Sequence, residues 1–235
     1  MAQKRASRGG RPQPRRVDTA KRAPQKKREA AAPRATPEPM PPFRLGAVPG
    51  ATPSKWIRHW RQQRPQQKLD LVAIDAADAS AALREGRIDA CICRRPIDGD
   101  DLHVVELYTE TPVVVMEAES SLTAADELRP ADLQGEVLLT PRDDVLGPLD
   151  LPTASPAFEP LETTADAIAT VATGIGIVVV PMSLARLHHR KDVTFRPLAG
   201  APGSAVVLAW RRDRDADDTQ AFIAITRGRT ARSSR

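Results

Sequence analysis

From residue 43 onward the apolar positions follow a period of two, then of about 3.6, then of two again. Phe43-Arg44-Leu45-Gly46-Ala47-Val48 alternates and predicts a strand. Thr52-Pro53 predicts a helix start, an N-cap hydroxyl followed by proline at the first helical position. Trp56, Ile57 and Trp60 then share one helical face. Leu69–Ile74 predicts a second strand. Asp78–Glu85 predicts a helix ended by Gly86, and Ile88–Cys93 a third strand. Strand, helix, strand, helix, strand is the pattern of a parallel sheet with covering helices.

Further strands are predicted at Val104–Tyr108, Val113–Met116, Glu136–Leu139, Ile175–Val180, Val193–Leu198 and Ser204–Trp210. Residues 122–133 predict a loop with short helical pieces. Residues 141–161 carry six prolines or glycines that exclude a long helix. Thr163 or Thr164 caps a helix through Ile168, Val171 and Ala172 that Gly174 ends, and Ser183–His188 predicts a short helix. Asp217–Ile225 predicts a closing helix with Ala221, Phe222 and Ile225 facing inward.

Residues 1–42 show no such period. They hold twelve Lys/Arg and three acids, a net of +9, in a chain whose total is +5, which leaves −4 for residues 43–235. A segment this basic, rich in Pro and Ala, buries too little apolar surface to offset its ordering entropy, so a disordered tail is expected over 1–42. A second short basic tail is expected at 229–235. No secretory signal or membrane-length apolar run stands out, and Cys91 and Cys93, two apart in a strand, face the same way without disulfide geometry. A cytoplasmic protein is expected.

Three stretches carry a family resemblance. They are Leu83–Ile92 (helix, Gly86, strand), Thr163–Pro181 with its Gly174-Ile175-Gly176 turn into a strand, and Val207–Arg212 followed by a helix with Phe222. Together they resemble the effector-binding (substrate-binding) domain of LysR-type transcriptional regulators over residues 43–228. The resemblance implies an α/β fold of two Rossmann-like lobes joined by two crossover strands, the type II periplasmic-binding-protein fold. Lobe I would be 43–110 with 197–228, and lobe II 111–196. It also implies a small-molecule effector between the lobes and a homodimer in which the first helix of one subunit meets lobe II of the other, through residues 53–63. The family's winged helix-turn-helix is not read in the 42 residues before the first strand, so DNA binding by such a head is not carried over. The prolines of 141–161 also depart from a helix-bearing family segment.

Ligand sites in open α/β sheets form at strand carboxyl ends and helix N-termini, where free N–H groups favour anions. Gly50 and Thr52 follow the first strand, Arg94 and Arg95 the third. Thr140 and Arg142 follow a later strand, and Thr163 and Thr164 open a helix. These are the candidate contacts for a small anionic or zwitterionic effector. Against that reading, each Thr is also an ordinary cap and the Arg pair an ordinary solvated strand end. In the tail, Arg8-Gly9-Gly10-Arg11-Pro12, followed by Arg15 and Arg16, is reminiscent of an AT-hook, which predicts weak DNA binding; a solubilising tail is the plainer alternative. No phosphate loop, nucleophile elbow or zinc-helix motif is found, and no cofactor or metal is expected. His188-His189 reads as a polar surface turn. The chain is therefore expected to be an effector-binding regulator or stand-alone sensor and not an enzyme, with a transport-type solute-binding protein, or a basic-tailed nucleic-acid-associated protein using the tail, as the alternatives.

Overall fold

A computed structural model describes residues 40–97 and 99–228. Strands β1 (Phe43–Ala47), β2 (Leu69–Ala73) and β3 (Ala90–Arg94) are joined by helices α1 (Ser54–Gln63) and α2 (Ala79–Arg84). β1 pairs in parallel with both β2 and β3, as their alternation with helices requires. β4 (Leu102–Glu110) and β8 (Ser204–Arg211) complete a five-stranded sheet in the order β2-β1-β3-β8-β4, both pairs involving β8 being antiparallel. A second sheet, β6-β5-β7, consists of β5 (Pro112–Glu117), β6 (Val178–Pro181) and β7 (Val193–Pro197). Helices α3 (Thr164–Val171) and α4 (Met182–Leu187) belong to this half, and α5 (Asp217–Thr226) returns to the first. The chain crosses between sheets twice, through Thr111 and through residues 198–203. The expected two-lobed α/β architecture with two crossings is the one adopted.

Both faces of the first sheet are covered, which explains why β3 is apolar at nearly every position. Ala90 and Ile92 face α1 and α5, in a core with Phe43, Trp60, Trp210 and Phe222. Cys91 and Cys93 point the other way, toward Ala82, Leu83 and Ile88 at α2. Both thiols are free and buried, and the hydrogen bond with Cys93, together with burial, pushes the Cys91 thiol well above its ordinary range. Trp60 anchors α1: it stacks on Phe43 at 4.8 Å, lies 6.0 Å from Phe222, and donates its Nε1–H to the Gln67 carbonyl at 3.0 Å. In the second half, Val113, Val115, Val178 and Val180 pack under α3 and α4, while Val114, Met116 and Val179 lie under the loop residues Leu128 and Leu133.

Three expectations need correction. Glu136–Leu139 is not a strand: Val137 bridges Ala154 and Leu138 bridges Ile177, one residue each. The Pro-rich chain on one side and Gly176 on the other offer no continuous edge to pair with. The strand read from Ile175 begins only at Val178, and Ile175 is exposed. Gly176 instead lies flat against the backbone, since a Cβ there would sit 2.3 Å from the Val137 carbonyl oxygen. Thr52 does not cap α1; Pro53 occupies the N-cap position, and no side chain caps that helix end. By contrast, Thr163 caps α3 as read, accepting from the Asp166 N–H at 3.1 Å.

Candidate functional site

The two halves meet at a buried polar cluster. Arg94 ends β3 and its side chain is 3% exposed; Glu110 ends β4 at 11%. The Arg94 Nη1–H donates to Glu110 Oε2 at 3.0 Å and to Ser204 Oγ at 3.2 Å. Its Nη2–H donates to Ser183 Oγ at 2.9 Å, and the Ser183 hydroxyl donates to the same Glu110 oxygen at 2.8 Å. Ser183 lies in the first turn of α4, so the second half supplies the hydroxyl that completes an ion pair of the first. Arg94 Nε is buried and has no partner among the described residues.

Gly50 makes this approach possible. Its φ is +79°, and a Cβ would lie 2.6 Å from Ser183 Oγ and 3.1 Å from Arg94 Nη2. Only glycine meets both demands without strain. The β1–α1 loop therefore lies directly on α4.

Beside the cluster opens a pocket of about 600 Å³, lined from the first half by Gly50, Thr52, Tyr108 and Glu110 and from α4 by Ser183 and Arg186, among others. The Thr52 hydroxyl lies against the Tyr108 phenol; burial, aided by the Glu110 charge, pushes that phenol above its usual range. The size is within the usual range for small-molecule sites. Gly50 also borders a neighbouring pocket of about 570 Å³ with Asp75 and Asp78.

The sequence-predicted residues fall into two groups. Gly50, Thr52 and Arg94 gather at the junction. Arg95 is exposed. Thr140, Arg142, Thr163 and Thr164 gather in the second half. There the buried Thr164 donates its hydroxyl to Asp143 at 2.8 Å, and Arg142 pairs with Glu162 at 2.9 Å. Thr140 lines a separate pocket of about 460 Å³ with Leu138, Leu149 and Phe158. No hydrogen bond among the described residues joins the two groups. The solvated strand end considered for the Arg pair holds for Arg95 and fails for Arg94, which is buried and already has its carboxylate. Glu110, Ser183, Ser204 and Arg186 escaped the sequence reading, because no local pattern marks a side chain whose partner is tens of residues away. Arg8, Arg11, Arg15 and Arg16 lie outside the described residues. Among the described residues no group of three or more His, Cys, Asp or Glu is placed to hold a metal ion, and no helix is long and apolar enough to cross a membrane.

The model of the LysR substrate binding domain matches residues 38–231. The chain belongs to this family. Among curated LysR-type relatives, the Hca operon transcriptional activator HcaR of Escherichia coli (strain K12) is 27% identical over 202 residues, covering 80% of this chain and 67% of that protein. The HTH-type transcriptional regulator AlsR of Bacillus subtilis (strain 168) is 26% identical over 180 residues, 72% of this chain and 59% of AlsR. The chain thus spans about three-fifths to two-thirds of the length of these regulators. Among solved structures, the BenM effector binding domain with its effector benzoate shares the fold at a TM-score of 0.66 and 22% identity, covering 80% of this chain and 91% of that one. The reduced OxyR regulatory domain from Pseudomonas aeruginosa does so at 0.61 and 24%, covering 80% and 96%. LysR effector-binding domains have the type II periplasmic-binding-protein fold, and so has this chain.

Proposed function

We propose that this LysR-type domain binds a small carboxylate-bearing effector where its two halves meet, and that this binding serves transcriptional regulation in the cytoplasm and no catalysis. The observation that carries the reading is the pocket beside the Arg94–Glu110–Ser183 cluster, lined by both halves, in a fold shared with a domain whose effector is benzoate. The lobe limits proposed are 43–110 with 197–228, and 111–196, since the first sheet takes its strands from the former ranges and the second from the latter, apart from the last residue of β7. Gly50 and Thr52 stand at the junction as contacts. Thr140, Thr163 and Thr164 are retained as second-half contacts, with Thr164 presenting its hydroxyl only by giving up Asp143.

The test is a thermal-shift series on the full chain with benzoate, salicylate and short aliphatic mono- and dicarboxylates. A native-state ligand at 100 times its Kd adds about 2.7 kcal/mol of stability, so at least one carboxylate is expected to raise Tm by several degrees. If none of them moves Tm, the reading falls.

Assembly follows the charges. Lys55, Arg58 and Arg61 are exposed on α1, no Asp or Glu lies in that helix, and no ion pair among the described residues neutralises them. Across residues 111–196 the chain carries thirteen Asp/Glu against six Lys/Arg. Surfaces of opposite sign on one chain favour pairing of two copies, α1 of each against the second half of the other. The +9 of residues 1–42 supports weak phosphate binding by the tail. Light scattering of the full chain is expected to give a dimer at micromolar concentration and a heavier species with duplex DNA at low salt that is lost at high salt. A monomer throughout would remove the α1 interface, and an unchanged mass with DNA would remove the tail's role.

A further inference from the structure

We infer that Arg186, at the rim of the junction pocket, is the cation through which this chain reads an anionic ligand. The inference rests on the carboxylate-effector reading and assigns its charge recognition to one residue. Arginine is suited to the task because its planar fork matches a carboxylate in two parallel hydrogen bonds.

Several other arginines are already matched. Arg94 is held by Glu110 at 3.0 Å and is almost entirely buried. Arg142 pairs with Glu162 at 2.9 Å, Arg190 with Asp192 at 2.8 Å, and Arg87 with Glu85 at 2.7 Å. Arg95 is exposed and does not line the junction pocket. Arg186 does line it, and no ion pair among the described residues engages it.

The charge balance of the pocket points the same way. Its single carboxylate, Glu110, is satisfied at Oε2 by Arg94 and by Ser183. That pair is neutral as a unit, so the guanidinium of Arg186 is the uncompensated charge facing the space. A position in the last turn of α4 is a favourable place for any cation, because carbonyl dipoles converge there. In a helix of six residues this effect is small, and it does not account for Arg186 bordering a pocket. Thr52 and Tyr108 bring hydroxyls to the same lining, and Met182 and Leu187 add apolar wall. The matching ligand is a small organic carboxylate with a partly apolar body. Because Arg186 is carried by α4 and the hydroxyls by the first half, such a ligand touches both halves at once.

The experiment is isothermal titration of the full chain with the same carboxylates and with their neutral amides, benzamide standing against benzoate. Arg186→Gln is expected to weaken the carboxylate at least tenfold, bringing it to the level of its amide, while Tm without ligand stays unchanged because Arg186 is exposed. Arg186→Lys is expected to keep part of the affinity. Arg95→Gln and Arg142→Gln are expected to bind as the parent does. Carboxylate binding that survives Arg186→Gln intact would overturn the inference and leave effector binding standing. Absence of binding by every carboxylate to the parent protein would overturn both.

Discussion

Replacing Glu110 by alanine is expected to cost about 3–5 kcal/mol of folding stability, because it leaves the Arg94 guanidinium buried without its counter-charge. Ser183 and Ser204 remain as neutral acceptors, and neither replaces a carboxylate. The pair itself contributes far less than its rupture costs, since desolvating two charges offsets most of their attraction. Arg94→Met combined with Glu110→Leu is therefore expected to recover most of the loss. Urea unfolding followed by tryptophan fluorescence checks both statements. A single variant within 0.5 kcal/mol of the parent, or a double variant no better than the single one, would show that the cluster is not desolvated as described.

Trp60→Ala is expected to destabilise by a similar amount, about 3–5 kcal/mol. Trp60 is fully buried and holds α1, β1 and α5 together through Phe43 and Phe222. Its truncation opens a cavity at the centre of the largest aromatic cluster and strands the Gln67 carbonyl. Trp60→Phe keeps most of the apolar volume and loses only the indole hydrogen bond, so about 1–2 kcal/mol is expected from it. Denaturant midpoints of the three proteins rank the effects. A loss below about 1.5 kcal/mol for Trp60→Ala would mean that the first half closes around the gap.

These two sites differ in how visible they were beforehand. Trp60 was legible: with Trp56 and Ile57 it falls at helical spacing, and burial of that face follows from period alone. The same holds for the alternation in β1 and the Thr163 cap. Glu136–Leu139 failed as a strand because alternation reports a residue's own faces and not whether a neighbouring edge exists. Arg94 failed differently. Two adjacent arginines after a strand look alike, yet Arg95 is solvated and Arg94 buried, and the difference is made by Glu110 and Ser183, sixteen and eighty-nine residues further along. No local pattern marks Arg186, which stands out only against the ion pairs of the other arginines.

The two crossings between the sheets are unequal. One is Thr111 alone, with Met182 N–H bonded to its carbonyl at 3.2 Å; the other runs from 198 to 203 and contains Gly200 at φ +77°. A single residue has two free dihedrals, so on that side the halves are joined by little more than a pivot, while the six-residue strap is tied to the second half at its start, where the Leu198 and Ala199 N–H groups bond the Pro112 and Leu128 carbonyls at 3.0 and 2.8 Å. On that side a reorientation of the halves turns about Thr111. Points near that pivot, including Glu110 next to it in sequence, travel least, and atoms on the far side of the molecule travel furthest for the same angle.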